Sequence, residues 1–268
     1  MSYHTCIECT EATWNPVTGC SKVSTGCKHC YAEREWKRLS ANPKTVYIRR
    51  QFTEVRCHPE RLEWPLRWKQ PRLIFVNSMS DLFHDDVPDA FIERIFAVMG
   101  QCPRHRFMVI TKRPLRMREF MRKNKPATQN TERHRNVWLA ISAENQETAD
   151  ERIPILLDTP ARVRFLTLEP LLGPIDLKPW LGAERHAGIH WVITGGETGT
   201  AARPMDPAWA RLIRDQCRGA GVAFFFKHHG NCQRLDDGSV RRVPKSASGR
   251  LLDGRTWDEY PPQYFQPV

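Results

Sequence analysis

The chain has 268 residues, 40% of them hydrophobic, with a formal net charge of +11 and nine cysteines. This length fits one large domain, and no apolar run approaches the roughly 20 residues that a membrane span needs. Residues 1–5 carry neither a basic nor an apolar signal segment, and an odd number of scattered cysteines argues against a secreted disulfide framework. A cytoplasmic protein without membrane segments is therefore expected.

Strand-like and helix-like segments alternate along most of the chain. Residues 73–76 form a continuous apolar run, typical of a strand buried on both faces, and residues 88–99 carry apolar side chains at helical spacing. The alternation indicates an α/β fold with a parallel sheet, and we expect a partial TIM-like (β/α) barrel of about six to seven parallel strands. Further strands are predicted over residues 10–15, 107–110, 137–141, 163–168, 191–193 and 223–226, and helices over 32–39, 115–123, 146–157 and 207–218.

Three parts of the chain differ in pattern. The barrel is predicted to cover residues 1–230, with an irregular insertion at about 41–72 that contains four prolines and no clean periodicity. Residues 231–268 are rich in turn signals and predict a small hairpin-like C-terminal appendage that acts as a lid or an edge cover.

A cysteine motif follows the first predicted strand. Cys20, Cys27 and Cys30 have the spacing C-x6-C-x2-C on a loop punctuated by glycines. Such short loop spacings hold iron–sulfur clusters through thiolates, and a triad leaves one iron without a protein ligand. A zinc site completed by His29 or a distant cysteine, and three ordinary buried thiols, are the alternatives. A second pair, Cys6 and Cys9, has no recognised partner.

Polar residues end nearly every predicted strand. In (β/α) barrels the site lies at the carboxyl ends of the strands, where the cysteine loop also begins. A buried acid in such a place is often functional, although each one is alternatively a salt-bridge partner. Of the adjacent His228 and His229, at most one is expected to face the site. The candidate binding residues at the strand ends are Ser78, Ser80, Asp81, Lys112, Ser142, Glu144, Glu169, Gly195, Gly196 and Glu197.

The positive charge is concentrated in two stretches. Residues 104–135 contain eleven Lys and Arg against two acids, and residues 34–72 contain eleven against four. Basic surface attracts phosphate backbones, which favours a nucleic acid or a nucleotide as partner, whereas a merely solvated charged face is the alternative. Arg113, Arg116 and Arg118 come just past the end of the third predicted strand and are expected to lie near the mouth of the barrel and to contact phosphates there.

The motifs also resemble those of a known superfamily. A cysteine triad after the first strand of a partial barrel, followed by an aromatic residue, is similar to the radical S-adenosylmethionine (SAM) superfamily, although the usual spacing there is C-x3-C-x2-C. The chain looks like the spore photoproduct lyase-like branch and, more closely, like a phage and bacterial three-cysteine-motif family of unassigned function. The matching segments are residues 13–16, 75–84, 111–114, 169–174 and 195–197.

The resemblance implies a cofactor set and a chemistry. Cys20, Cys27 and Cys30 would bind a [4Fe-4S] cluster, and one electron from a donor would cleave SAM to methionine and a 5′-deoxyadenosyl radical that abstracts hydrogen from the substrate. Tyr31 would pack near the adenine or serve as a core aromatic, and Lys112 would pair with the SAM carboxylate. Gly-Gly-Glu is a motif for the SAM amino group, but it stands here after the sixth strand instead of the second.

Three functions follow from these expectations. The first is a radical SAM enzyme, a lyase or modification enzyme, that acts on nucleic acid or a nucleotide. The second is a nucleic-acid-binding module that carries zinc or a cluster without catalysis. The third is a radical SAM enzyme that acts on a peptide or small metabolite.

Overall fold

A computed structural model describes residues 7–123, 134–182, 188–235, 237–244 and 247–264. Cys6 and the basic segment 124–133 lie outside the described residues. Within the described part of the chain, none of the helices combines the length and the hydropathy needed to cross a bilayer.

Seven parallel strands form one sheet, in which each strand pairs with the next one along the chain. The sheet curls into a half-barrel, which confirms the expected α/β class and is compatible with a partial TIM-like barrel. The strands are β1 (Ala12–Trp14), β2 (Leu73–Val76), β3 (Arg106–Thr111), β4 (Val137–Ser142), β5 (Val163–Leu168), β6 (Trp191–Thr194) and β7 (Ala223–Phe226).

Five α-helices within the described residues accompany the strands. Local signals explain their ends: Asn145 and Thr148 form a reciprocal capping box at the start of one helix, and Gly221 ends another in the left-handed conformation at φ 67°. The helices are α1 (Tyr31–Ser40), α2 (Asp89–Gly100), α3 (Pro114–Lys123), α4 (Gln146–Leu157) and α5 (Pro207–Ala220).

The two faces of the sheet have separate cores. Alternate residues of each strand pack outward under the helices, and the others fill the concave side of the half-barrel. There the rings of Trp138 and Phe165 lie around Trp191, with centroid distances of 6.3 and 5.6 Å. These large rings fill the concave side near the amino ends of the strands, so open space remains toward the carboxyl ends.

The insertion is packed against the cysteine loop. Its residues Arg56–Cys57 pair antiparallel with Val17–Thr18, and two short 3-10 turns follow. Phe52 and Tyr47 pack edge-on against Trp36 of α1, and this small apolar cluster also contacts Cys20 and Cys30.

The C-terminal appendage covers the free edge of the sheet. A short hairpin pairs Cys232–Arg234 with Val240–Arg242. Farther on, the backbone N–H of Phe226 in β7 donates to the carbonyl of Trp257, and that of Glu259 donates to the carbonyl of Phe224. The Trp257 side chain is buried in the main core. The segment is therefore an edge cover that shares the core of the barrel.

Candidate functional site

The cysteine loop leaves β1 and is fixed on its outer side by the insertion. Gly19 has φ +94°, and a Cβ there would lie 2.4 Å from the carbonyl oxygen of Glu54. The next residue, Cys20, donates its N–H to the carbonyl of Phe52 over 2.9 Å. Only glycine fits at position 19, and this close approach sets the direction of the Cys20 side chain.

Two asparagines join the cysteine loop to the loop that follows β2. The Asn15 carboxamide accepts hydrogen bonds from the Ser78 hydroxyl at 3.2 Å and from the N–H of Met79 at 3.1 Å. The side-chain oxygen Oδ1 of Asn77 accepts the N–H of Val17 at 3.2 Å, and Asn77 itself adopts a left-handed φ of 61°. Both loops are thus held as one unit at the carboxyl edge of the sheet.

Cys20, Cys27 and Cys30 line one cavity of about 130 Å³. The predicted residues Ser78, Ser80 and Asp81 line the same cavity, so the structure brings the cysteines and the end of β2 together. No disulfide joins the described cysteines. Among the residues that the structure describes, no three His, Cys, Asp or Glu side chains surround a point where a single metal ion would be held.

A larger cavity of about 400 Å³ adjoins the first. The two share five lining residues, namely Tyr31, Phe75, Ile110, Lys112 and Ser142. The larger cavity is walled by apolar side chains of the concave face, such as Met108 and Ile193, and by the segment Ile7–Thr10. It provides room for an organic ligand directly beside the cysteines.

An arginine–aspartate pair lies against Cys20. The Arg113 guanidinium contacts the Cys20 sulfur at 3.8 Å and the Asp81 carboxylate at 3.2 Å. Asp81 also accepts the Thr111 hydroxyl at 2.7 Å and the N–H groups of Phe83 at 3.0 Å and Lys112 at 3.1 Å, so all its acceptor capacity is used. Burial raises the pKa of the Cys20 thiol to about 11, and the Asp81 charge adds to this while Arg113 opposes it.

Lys112 stands at the junction of the two cavities. It lines both, and its ammonium group has no hydrogen-bond or ion-pair partner within the described ranges. Across the junction, the Tyr31 hydroxyl donates to the carbonyl oxygen of Ser78, while the Tyr31 ring is 41% exposed. The Ser142 hydroxyl donates to the Glu169 carbonyl at 3.3 Å. An unpaired cation here is suited to bind an anionic group.

A second charged group lies at the far end of the larger cavity. The Lys227 ammonium is 2.6 Å from a Glu169 carboxylate oxygen, and His228 Nε2 is 3.4 Å from the other. His228 Nδ1 accepts the N–H of Gly230 at 3.2 Å, which places the ring proton on Nε2, facing Glu169. Burial lowers the pKa of Lys227, but the charge and hydrogen bond of Glu169, together with the nearby Cys9 and Glu8, outweigh burial, and the pKa rises above its usual value.

Sequence reasoning missed Lys227, although it stands at the end of β7 like the other strand-end candidates. His228 faces the cavity, whereas His229 turns away and bonds with the carbonyl of Leu251 at 2.8 Å. This agrees with the expectation that at most one of the two histidines faces the site.

Glu144 has a different place from the predicted one. It lines neither cavity, is fully buried, and accepts the N–H of Gly26 at 2.9 Å. Its other oxygen lies 3.3 Å from the Arg152 guanidinium. Glu144 therefore fastens the cysteine loop and does not reach a ligand in either cavity.

The Gly-Gly-Glu segment also lies outside both cavities. Glu197 is buried and accepts both the backbone N–H and the guanidinium of Arg203. A Cβ on Gly196 would lie 2.2 Å from the carbonyl oxygen of His229, and one on Gly195 would lie 3.3 Å from the Glu169 carboxylate. The glycines let strand-end loops pack closely, and Gly195 leaves room for Glu169.

The three arginines after β3 are engaged within the protein. Arg113 bonds with Asp81 and Ser21, Arg116 with Asp89 and two backbone carbonyls, and Arg118 with Asp158. The expectation that they contact phosphates does not agree with these pairings. Exposed cations without an ion pair in the described part of the chain occur instead in the insertion, at Lys44, Arg49 and Arg56.

Fold and site together define an α/β half-barrel protein with a cysteine-lined cavity at the carboxyl edge of its sheet. A family model described as "Protein of unknown function (DUF5131)" matches residues 4–261, and the chain belongs to this family. No curated protein and no solved structure matches the chain.

Proposed function

We propose that this protein is a radical SAM enzyme in which Cys20, Cys27 and Cys30 bind a [4Fe-4S] cluster. One observation carries the proposal: the three thiols line a single cavity at the carboxyl edge of the sheet, and a larger cavity adjoins it. Thiolates are the ligands that iron–sulfur clusters use. When bound, the cluster and SAM supply a 5′-deoxyadenosyl radical for hydrogen abstraction.

The donor set fits a cluster. If three thiolates bound one zinc ion, each sulfur would lie about 2.3 Å from the metal, so the three sulfurs would surround a single point. Among the described residues no such group exists, and three thiols that line one cavity are compatible with ligands of three separate irons. The described lining of this cavity contains no fourth cysteine, so one iron would be left for SAM.

The chain's own residues have distinct tasks in this proposal. Lys112, which is unpaired in the described chain and borders both cavities, binds the SAM carboxylate. Ser78, Ser80 and Ser142 line the walls beside it. The apolar side chains of the larger cavity exclude water from the reacting group, and Glu169 with Lys227 and His228 offers hydrogen bonds to a polar substrate.

The substrate class that we propose is nucleic acid or a nucleotide. The exposed cations of the insertion support it, because this segment packs against the cysteine loop and could hold phosphates near the mouth. A peptide or small metabolite is the second candidate, favoured by the limited size of the larger cavity, about 400 Å³. The free thiols of the eight described cysteines support a cytoplasmic location, where a reductant would supply the electron.

Anaerobic reconstitution with iron and sulfide tests the proposal. The wild type should bind about four irons with the absorbance of a [4Fe-4S] cluster, and Ala at position 20, 27 or 30 should remove most of the iron. Cys57→Ala is the matched control, because Cys57 is also half-buried but lines neither cavity. Stoichiometric zinc together with failure to take up iron would support the non-catalytic zinc module instead.

A further inference from the structure

The guanidinium of Arg113 contacts the Cys20 sulfur. Its Nη1 lies 3.8 Å from Cys20 Sγ and its Nη2 lies 3.3 Å from the carbonyl oxygen of Ser21. The side chain is only 9% exposed. A guanidinium in this position directs an N–H of Nη1 at the sulfur that would bind iron.

Neighbouring groups hold the guanidinium in place. Asp81 pairs with it at 3.2 Å, and both side chains of this pair are largely buried. On the other side, Arg113 Nη2 donates to the Ser21 hydroxyl oxygen at 2.8 Å. His84 Nδ1 accepts the N–H of Asp86, so His84 Nε2 donates to the same Ser21 oxygen at 2.7 Å. Ser21 therefore receives two hydrogen bonds beside Cys20.

The charges act in opposite directions on anything bound to Cys20. A reduced iron–sulfur cluster carries one more electron than the oxidised one, and a nearby positive charge or a hydrogen bond to a ligand sulfur stabilises the reduced form. A nearby carboxylate has the opposite effect. In a site with little water, both effects are stronger than they would be at the surface.

We propose that Arg113 is a positioning residue that sets the reduction potential of the cluster through Cys20, with Asp81 as the opposing charge. This inference rests on the proposed function. Arg113 belongs to the basic stretch 104–135, which composition alone would assign to phosphate binding. The same pair orients the loop, because Asp81 bonds with Thr111 and Lys112 at the end of β3.

The test uses three reconstituted variants of the full chain: Arg113→Met, Asp81→Asn and Arg118→Met. Midpoint potentials are measured by dithionite titration with mediators, followed by electron paramagnetic resonance, and iron is counted in each sample. Arg113→Met should shift the potential downward and Asp81→Asn upward. Arg118→Met should leave it unchanged, because Arg118 pairs with Asp158 away from both cavities.

The opposite signs separate electrostatic tuning from a merely structural role, which would not raise the potential in one variant and lower it in the other. Unchanged potentials in loaded Arg113→Met and Asp81→Asn overturn the inference and leave the proposed function standing. A wild type that takes up no iron overturns both. If Arg113→Met does not load, Arg113→Lys should load and show a smaller downward shift. If Arg113→Lys also stays empty while folded, the tuning role is overturned in favour of a role in loop assembly.

Discussion

The Glu144 carboxylate accepts the backbone N–H of Gly26 over 2.9 Å, although 118 residues separate the two. Glu144 follows β4 and Gly26 directly precedes Cys27, so this bond ties the middle of the sheet to the cysteine loop. The Thr25 hydroxyl donates to the same carboxylate oxygen at 3.5 Å. The loop is thus supported from the barrel side as well as from the insertion.

Replacing Glu144 with Ala should loosen the loop and remove the buried charge partner of Arg152, which would keep only the exposed Glu151 at 3.8 Å. Breaking a buried ion pair from one side costs about 3–5 kcal/mol of unfolding free energy. Urea unfolding measures the loss, and iron uptake of the folded fraction should fall as well. Glu147→Ala, an exposed change on α4, is the control. Full iron uptake by Glu144→Ala would contradict the fastening role.

Gly26→Ala should destabilise the protein because the new Cβ would lie 2.9 Å from the Glu144 carboxyl carbon. Overpacking of this kind costs about 1–3 kcal/mol. Gly219→Ala is the matched control, since a Cβ there meets nothing within 4 Å and the residue lies inside α5. That change should be neutral or stabilising. Equal unfolding midpoints for the two variants would show that the contact at Gly26 is unimportant.

Lys112→Met should weaken SAM binding to the reconstituted protein by roughly tenfold or more, since a charged hydrogen bond to a carboxylate contributes about 1.5–3 kcal/mol. Isothermal titration calorimetry with the loaded wild type and variant gives both affinities. Lys178→Met, an exposed substitution outside both cavities, should bind SAM like the wild type. Equal affinities for the two variants would remove Lys112 from the SAM site.

His58 should make the protein less stable in mild acid. Its Nε2 shares a 2.8 Å hydrogen bond with Thr18 and its Nδ1 a 3.1 Å bond with Glu60, and burial lowers the pKa of the ring to about 4. The unfolded chain takes up this proton near pH 6.5 while the folded chain does not. The free energy of unfolding therefore keeps its full value above pH 6.5. It decreases by up to about 3 kcal/mol as the pH falls toward 4.

Urea midpoints measured every half pH unit between 4 and 7 test this. The His58→Gln variant starts from a lower stability, but its curve should fall less steeply than that of the wild type. Parallel curves would mean that the pKa of His58 is not lowered in the folded protein.

A nucleic-acid substrate predicts a salt-dependent contribution from the insertion. Each phosphate contact adds about −0.9 to the slope of log affinity against log salt on duplex DNA. Replacing Lys44, Arg49 and Arg56 together with Ala should flatten the slope by roughly two to three units. Arg118→Ala with Arg122→Ala, whose partner is Asp158, is the control. Absence of binding to DNA and RNA would favour a peptide or small metabolite.

The sheet was predictable because its strands are continuous apolar runs that end in polar residues. The structure places β2 and β5 on the residues that the sequence pattern indicates. By a few residues, β1 is shorter than predicted, whereas β3 and α5 are longer. The side of the sheet that holds the site followed from the topology, since parallel strands end at one edge. Local periodicity carries all of this information.

The side-chain partners of the site were not predictable in the same way. Glu144 and Glu197 follow strand ends just as Glu169 does. Glu144, however, forms an ion pair with Arg152, and Glu197 forms one with Arg203. Lys227 reaches Glu169 from 58 positions away. Which acid is committed to a neighbour and which one faces a cavity depends on the curl of the sheet, and no local pattern records that curl.

The hydrogen bonds from β7 to Trp257 and Glu259 have a consequence for how the protein is made. Until that later segment has been synthesised, the growing chain presents an unpaired strand edge that contains Phe224, Phe225 and Phe226. Exposed apolar edges of this kind recruit other chains. Any shortened product that ends before residue 257 should therefore aggregate through the edge of β7. Synthesis of the segment around residue 257 is thus needed to keep the protein from aggregating.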